Sequence, residues 1–257
     1  MKPTTEKLKI ILRVIKLFKN WWLYPIVYLK LIKKSTVIIE TKKEVKILLR
    51  VNSTDLMALT HVWLIEEYAK KNFDIKSSDT VIDIGAHIGL FTLYASQNCK
   101  NGNIYSYEPV KENFNVLKEN ITINNLKNVK IFNLAVSKSN STIKLFMNND
   151  ESGHSMFSKS SENIIVNSTS LMKIFDENNI KKCNFLKLDC EGAEYEIIKN
   201  LPLEYFQKID KLVIEYHMAD LHPEFLIELK EILSQQNFKI ETKKLFSDIG
   251  FLYAKKI

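Results

Sequence analysis

The stretch Val81-Ile82-Asp83-Ile84-Gly85-Ala86-His87-Ile88-Gly89 decides how this chain folds. A hydrophobic strand runs into a tight turn at Gly85, and Gly89 opens the helix that follows. Glycine lets backbone approach a ligand where a Cβ would collide. A helix N-terminus offers unbonded N–H groups to a carboxylate or a phosphate. Dinucleotide-binding folds want G-x-G-x-x-G. The spacing here is G-x-x-x-G with an acid before it, which suits a nucleoside carrying an amino acid better than a pyrophosphate.

Outward from this stretch the pattern alternates. Thr80–Ile84 reads as a buried strand and Gly89–Asn98 as a helix. Asn103–Tyr107 is a second strand, Lys111–Asn124 a second helix and Val129–Val136 a third strand. Asn184–Leu188 and Lys211–Tyr216 are further strands, each followed by a helix (Glu191–Asn200 and Glu224–Gln236), and Phe238–Lys244 with Phe251–Lys255 close the chain. Such alternation predicts an α/β fold with a mostly parallel, doubly wound sheet, Rossmann-like, ending in an antiparallel C-terminal strand. Between the third and fourth strands, Ser141–Met147 and Ile164–Ser168 flank a polar loop, Asn148–Ser161, expected to cover the substrate side.

Two further signals converge on the same crevice. Glu108 ends the second strand, 19 residues beyond Gly89, where an acid can accept hydrogen bonds from both ribose hydroxyls. The run Phe185-Leu186-Lys187-Leu188-Asp189-Cys190-Glu191-Gly192-Ala193-Glu194 ends the fourth strand. In a doubly wound sheet the first and fourth strands are neighbours at the topological switch point, and ligands bind outside their carboxyl ends. Asp189 and Glu191 should therefore face the crevice that holds Gly85, while Glu194 can equally cap the next helix.

In this order D-I-G-A-H-I-G, Y-E-P, N-L-A-V-S and K-L-D-C-E-G-A-E, over roughly residues 76–217, the chain resembles the FkbM family of S-adenosylmethionine-dependent methyltransferases. The resemblance implies a class I methyltransferase fold and methyl transfer to a hydroxyl of a saccharide, glycolipid or other small-molecule acceptor. It matches Asp83, Gly85 and Gly89 to the cofactor loop, Glu108 to the ribose ligand, and Asn133 and Ala135 to the segment lining the adenine. Asp189, Glu191, Gly192 and Glu194 match its K-x-D-x-E-G-x-E signature. His87 stands where the family commonly has Asn, which keeps local hydrogen bonding but invites pH dependence.

Methyl transfer is an in-line displacement in which the protein aligns the partners and removes a proton. Asp189 is the first candidate for orienting or deprotonating the acceptor. His217, ending Ile214-Glu215-Tyr216-His217, is the second, and Glu191 the third. A metal held by Asp189, Glu191 and Glu215 matches no recognised ligand spacing, so no metal is expected. Two other classes stay open: an NAD-dependent oxidoreductase, opposed by the missing middle glycine, and a catalytically silent membrane-associated binding module, opposed by the intact Gly85, Gly89, Glu108 and Asp189.

Charge is distributed unevenly. Residues 1–50 hold 13 Lys/Arg against 3 Asp/Glu, whereas residues 51–257 hold 24 against 27. A nucleic-acid enzyme would spread its cations around a groove, so DNA and RNA are disfavoured as substrates. The basic character belongs to an N-terminal arm, residues 1–35. There Leu8, Ile11, Leu12 and Ile15 repeat at helical spacing, and Trp21, Trp22, Tyr24 and Tyr28 lie between Lys19 and Lys30. That combination suits the headgroup region of an anionic membrane; the competing reading is a helix packed on its own domain. The apolar run 20–29 is too short to span a bilayer. Residues 36–75 are expected to add a hairpin (Thr36–Glu40 with Glu44–Val51) and a helix (Leu56–Lys71) leading into a methyltransferase domain at 76–257. Three cysteines with no CxxC pair suggest a reducing compartment, so a cytoplasmic protein, peripheral on the inner face of the membrane where the arm binds lipid. The sequence leaves the oligomeric state open.

Overall fold

The computed structural model describes residues 3–147, 154–155 and 163–257. The chain begins with helices α1 (Pro3–Leu17) and α2 (Leu23–Tyr28) and a hairpin of β1 (Thr36–Glu40) and β2 (Lys46–Arg50). Helix α3 (Asp55–Leu59) runs into a π-helical turn at Thr60–Ile65. Strands and helices then alternate through β3 (Thr80–Ile84), α4 (Leu90–Ser96), β4 (Asn103–Tyr107), α5 (Lys111–Ile123) and β5 (Val129–Phe132). A side sheet follows, of β6 (Ala135–Ser137), β7 (Thr142–Met147), β8 (His154–Ser155) and β9 (Asn163–Ser170), leading into α6 (Leu171–Glu177). Next come β10 (Phe185–Leu188), α7 (Glu194–Lys199), α8 (Leu203–Phe206), β11 (Lys211–Tyr216) and α9 (Pro223–Gln235). Strands β12 (Phe238–Lys244) and β13 (Gly250–Lys256) end the chain.

Seven strands form the central sheet in the order β12-β13-β11-β10-β3-β4-β5. Strands β11, β10, β3, β4 and β5 pair in parallel, and β13 runs antiparallel to both of its neighbours. The expected doubly wound sheet with one antiparallel C-terminal strand is therefore present. Strands β3, β4, β10 and β11 are buried along almost their whole length, because helices cover both faces and no polar alternation is required. The chain steps from β3 through β4 to β5 on one side, then returns to β10 and β11 on the other. The switch point thus lies between β3 and β10, whose carboxyl ends carry Gly85 and Asp189.

Several boundaries differ from the sequence expectation. The helix foreseen over Leu56–Lys71 stops at Ile65, where Glu66 turns left-handed at φ 60°. The strand foreseen over Val129–Val136 is two strands in two sheets, parted at Asn133 and Leu134. The helix foreseen from Glu191 begins only at Glu194, because Glu191 (φ 53°) and Gly192 (φ 107°) form a left-handed turn first. Helices α6 and α8 were not foreseen. The strands flanking the polar insertion are present as β7 and β9. Most of the Asn148–Ser161 loop, expected as a substrate-side cover, lies outside the described residues.

The N-terminal arm is seated on the domain. Val14, Phe18, Tyr24 and Val27 are buried in the same apolar cluster as Leu49, Leu59, Trp63 and Phe91. Burying each such side chain contributes about 1.5–3 kcal/mol. The backbone joins in: the Lys19 N–H donates to the Glu40 carbonyl at 2.7 Å, and the Lys42 N–H to the Leu17 carbonyl at 2.8 Å. The Arg13 guanidinium donates to the Leu64 carbonyl.

Candidate functional site

The cofactor-loop candidates form a rigid turn at the end of β3. Gly85 has φ +73°, and a Cβ there would stand 1.7 Å from the carbonyl oxygen of Asp189. Only a glycine lets the turn press against the end of β10, so loop and strand end form one wall. Gly89 (φ +87°) is the residue before α4, and a Cβ on it would meet Leu117 at 2.5 Å. The Gly85 and Ala86 N–H groups both donate to the Tyr107 carbonyl at 3.0 Å, tying the turn to the end of β4.

Two acids support this turn. Asp83 is fully buried, accepts from the Thr92 hydroxyl at 2.6 Å, and holds the Lys187 ammonium at 3.1 Å. It sits beneath the loop rather than facing the crevice. Lys187 also donates to the Gly85 carbonyl at 2.8 Å and lies 3.5 Å from Asp189. Burial alone would lower this lysine, but Asp83 and Asp189 beside it hold it above the ordinary lysine value. Glu108 accepts from the His87 N–H at 2.8 Å and the Val110 N–H at 2.9 Å. Desolvation pushes its carboxyl up to about 7, against the pull of those donors.

The remaining cofactor candidates are Asn133, Ala135 and His87. Asn133 donates to the carbonyls of Glu108 and Pro109, both at 2.9 Å, and so fixes the loop after β4. Ala135 is buried at the start of β6. His87 is left-handed (φ 51°), with its Nε2 3.4 Å from Arg50 and 3.6 Å from Asp55. Desolvation lowers it to about 4, so the imidazole is neutral around pH 7. The pH dependence expected at this position is therefore absent near neutrality.

The catalytic candidates meet at the ends of β10 and β11. Asp189 accepts from the Tyr68 hydroxyl at 3.1 Å, and the same hydroxyl lies 3.0 Å from Glu215. His217 is held between two glutamates, its Nδ1 3.2 Å from Glu194 and its Nε2 3.5 Å from Glu191. Burial would lower His217, yet Glu194 and Glu191 hold it well above the ordinary histidine range. That favours the protonated ring, the form that holds a proton rather than accepting one. Glu194 is fully buried and accepts from the Cys190 N–H at 2.6 Å and the Gly192 N–H at 2.8 Å. It closes the strand-to-helix turn, a capping role. Glu191 keeps 30% of its side chain exposed, and desolvation raises its carboxyl to about 7. Desolvation and Asp189 raise Glu215 to about 8.

Sequence reasoning missed Tyr68 and Lys187. Lys187 had a signal, a charge inside the buried run Phe185–Leu188. Tyr68 had none, lying in a stretch read as helix, and only tertiary folding brings it to Asp189. As for metals, Asp189, Glu191 and His217 each present one donor atom, all within 4.8 Å of one another. A divalent cation there would have to displace the proton that Glu194 and Glu191 favour on His217. Glu215, not His217, had been the third ligand weighed from sequence.

Comparison with known proteins bears on this geometry. The profile of the methyltransferase FkbM domain matches residues 83–240, which includes the glycine turn and both strand ends. The chain is 23% identical over 192 residues to "Methyltransferase 1" of Beauveria bassiana (strain ARSEF 2860), covering 64% of this chain and 74% of that protein. It is 22% identical over 201 residues to "Methyltransferase sdnD" of Sordaria araneosa, covering 65% and 76%. Among solved structures, methyltransferase FkbM from Methylobacillus flagellatus KT has the same fold, with a TM-score of 0.53 at 17% identity. The match covers 77% of this chain and 53% of that one, so the chain spans about half the length of that protein.

Proposed function

The chain belongs to the FkbM family of methyltransferases, and from that premise we propose that it transfers a methyl group from S-adenosylmethionine to a hydroxyl of a saccharide or glycolipid-type acceptor. The observation that carries this reading is the contact of Gly85 with the Asp189 carbonyl. It joins the nucleoside side of the crevice to the acid side with no gap for a side chain. S-adenosylmethionine would supply a methyl carbon activated by a sulfonium.

Asp83, Gly85, His87 and Gly89 would shape the floor of the cofactor site, Glu108 would accept from the ribose hydroxyls, and Asn133 and Ala135 would border the adenine. On the other side Asp189, anchored by Tyr68 and Lys187, would orient the acceptor hydroxyl. Glu191 would take its proton as the oxygen attacks the methyl carbon and the carbon–sulfur bond breaks. A carboxyl near 7 is matched to that task, since a base works best when its pKa lies close to the working pH. His217 beside it stabilises the carboxylate before the proton arrives.

The setting belongs to the same reading: a cytoplasmic enzyme in peripheral contact with the inner face of the membrane through residues 1–35. No helix among the described residues is long and apolar enough to cross a membrane. The test is turnover of labelled S-adenosylmethionine against cell-envelope glycan and glycolipid fractions, with products read by mass spectrometry for the gain of one methylene. Labelled glycan supports the acceptor assignment. Label confined to free metabolites, with normal turnover, overturns it.

A further inference from the structure

Helix α1 carries two apolar stripes, and the fold uses one. At about 100° per residue, Ile10, Val14 and Leu17 fall on one arc, and these residues pack on or within the core. Leu8, Ile11, Leu12 and Ile15 fall on a second arc, roughly 140° away by the same spacing. They are 58%, 51%, 58% and 38% exposed. A helix that only packs on its domain needs a single apolar stripe. The second continues along the arm in exposed Trp21, Trp22, Tyr28, Leu29 and Leu31. Of the 19 large apolar residues exposed among the described residues, 9 lie between positions 8 and 31. A concentration of this kind marks an interaction surface.

The charges around it choose the occupant. By helical spacing Lys7 borders the outward arc on one side and Lys9 and Lys16 on the other. Lys30, Lys33 and Lys34 follow the aromatic end. None of these six lysines is paired with an acid among the described residues. A second copy would set the same lysines against each other, because a twofold interface uses one patch on both partners. An anionic bilayer offers apolar depth for the aliphatic arc, an interfacial zone for Trp and Tyr, and negative headgroups for the lysine borders.

Resting on the peripheral setting proposed above, we infer that this outward face, from Leu8 through Leu31, is a docking surface for an anionic lipid bilayer. The arm does not choose between packing and lipid. Its inner stripe is fixed to the core, so the outer stripe is presented as a rigid platform. Removing the arm would strip Val14 and Phe18 from the core, so truncation is a poor test. Substitutions confined to the outer face are the useful ones.

The experiment is co-sedimentation of the full chain with vesicles of phosphatidylglycerol and phosphatidylcholine. Wild type is compared with a combined Leu8→Ser, Ile11→Ser, Leu12→Ser, Ile15→Ser variant and with a combined Lys7→Glu, Lys9→Glu, Lys16→Glu variant. Melting temperature, gel-filtration size and affinity for S-adenosylhomocysteine are measured on each. Wild type should sediment with anionic but not pure phosphatidylcholine vesicles, and less so as salt rises and screens the lysines. Both variants should partition at least about tenfold more weakly, with cofactor affinity unchanged. Equal vesicle binding by wild type and the charge variant overturns the proposal, as does a wild-type dimer that ignores vesicles and becomes monomeric in the serine variant. Loss of cofactor affinity in all three proteins, with vesicle binding intact, would instead strike the methyl-transfer reading.

Discussion

On the β3–β4 side of the crevice the buried acids are engaged by the fold. Asp83 is taken by Thr92 and Lys187, and Glu108 by two backbone N–H groups. On the β10–β11 side Asp189, Glu191 and Glu215 crowd together around Tyr68, Lys187 and His217. The first region is made by backbone shape, with carboxylates as struts. The second is made by side-chain charge, with carboxyls raised to about 7 and about 8 at Glu191 and Glu215. Cofactor binding should therefore respond to changes of shape and weaken only where Glu108, raised to about 7, takes up its proton, while turnover should respond to changes of charge and follow pH closely.

The sharpest way to break the first half is Gly85→Ala. The new Cβ would meet the Asp189 carbonyl at 1.7 Å in a left-handed conformation. A loss of about 3–5 kcal/mol in stability is expected from strain on that scale, together with loss of cofactor binding. Denaturant unfolding checks it, and a variant as stable as wild type would mean the loop and strand end do not form one wall.

Asp189→Asn addresses the second half. Turnover should fall by about 10²-fold or more with affinity for S-adenosylhomocysteine nearly intact, because alignment and charge are lost without change of shape. Comparable losses in both quantities would erase the contrast between the two sides.

The contrast also predicts a pH profile. Glu191 is pushed up to about 7 by desolvation, with His217 opposing and Asp189 and Glu194 adding to the rise. As a base it works only when ionised. Turnover should fall about tenfold per pH unit below pH 7 and level off above it. Glu191→Gln should flatten that limb. A wild-type profile without a limb near 7 assigns the proton to another group.

Glu108→Ala should weaken cofactor binding by roughly 1–3 kcal/mol, the scale of a charge-assisted hydrogen-bond pair. His87→Asn should have the smallest effect. The imidazole is already neutral, so its affinity for S-adenosylhomocysteine should match wild type from pH 6 to 8 within about 0.5 kcal/mol. Calorimetry measures both variants.

How far the sequence carried this picture follows from the same physics. Thr80–Ile84, Asn103–Tyr107 and Lys211–Tyr216 were legible to the residue because strands buried on both faces are rich in β-branched, aliphatic and aromatic residues without strict alternation. Gly85 and Glu108 were legible from spacing within one βαβ unit. The start of α7 was not. A left-handed Glu191 has no compositional mark, and Gly192 alone does not say which neighbour turns with it. The break at Asn133 was hidden inside an apolar run, where one strand and two read alike. Tyr68 reaches Asp189 across 121 positions, a distance no local pattern encodes. The two faces of α1 were visible as periodicity, but which stripe the core would claim depended on the hairpin it meets.

The most direct test of the account is calorimetric titration of the wild-type chain with S-adenosylmethionine, S-adenosylhomocysteine and NAD across pH 6 to 8. The account predicts binding of the first two in roughly the micromolar range, weakening as pH falls below 7 and Glu108 is protonated, and no heat with NAD. Saturable binding of NAD, or no binding of either adenosyl compound, would contradict it.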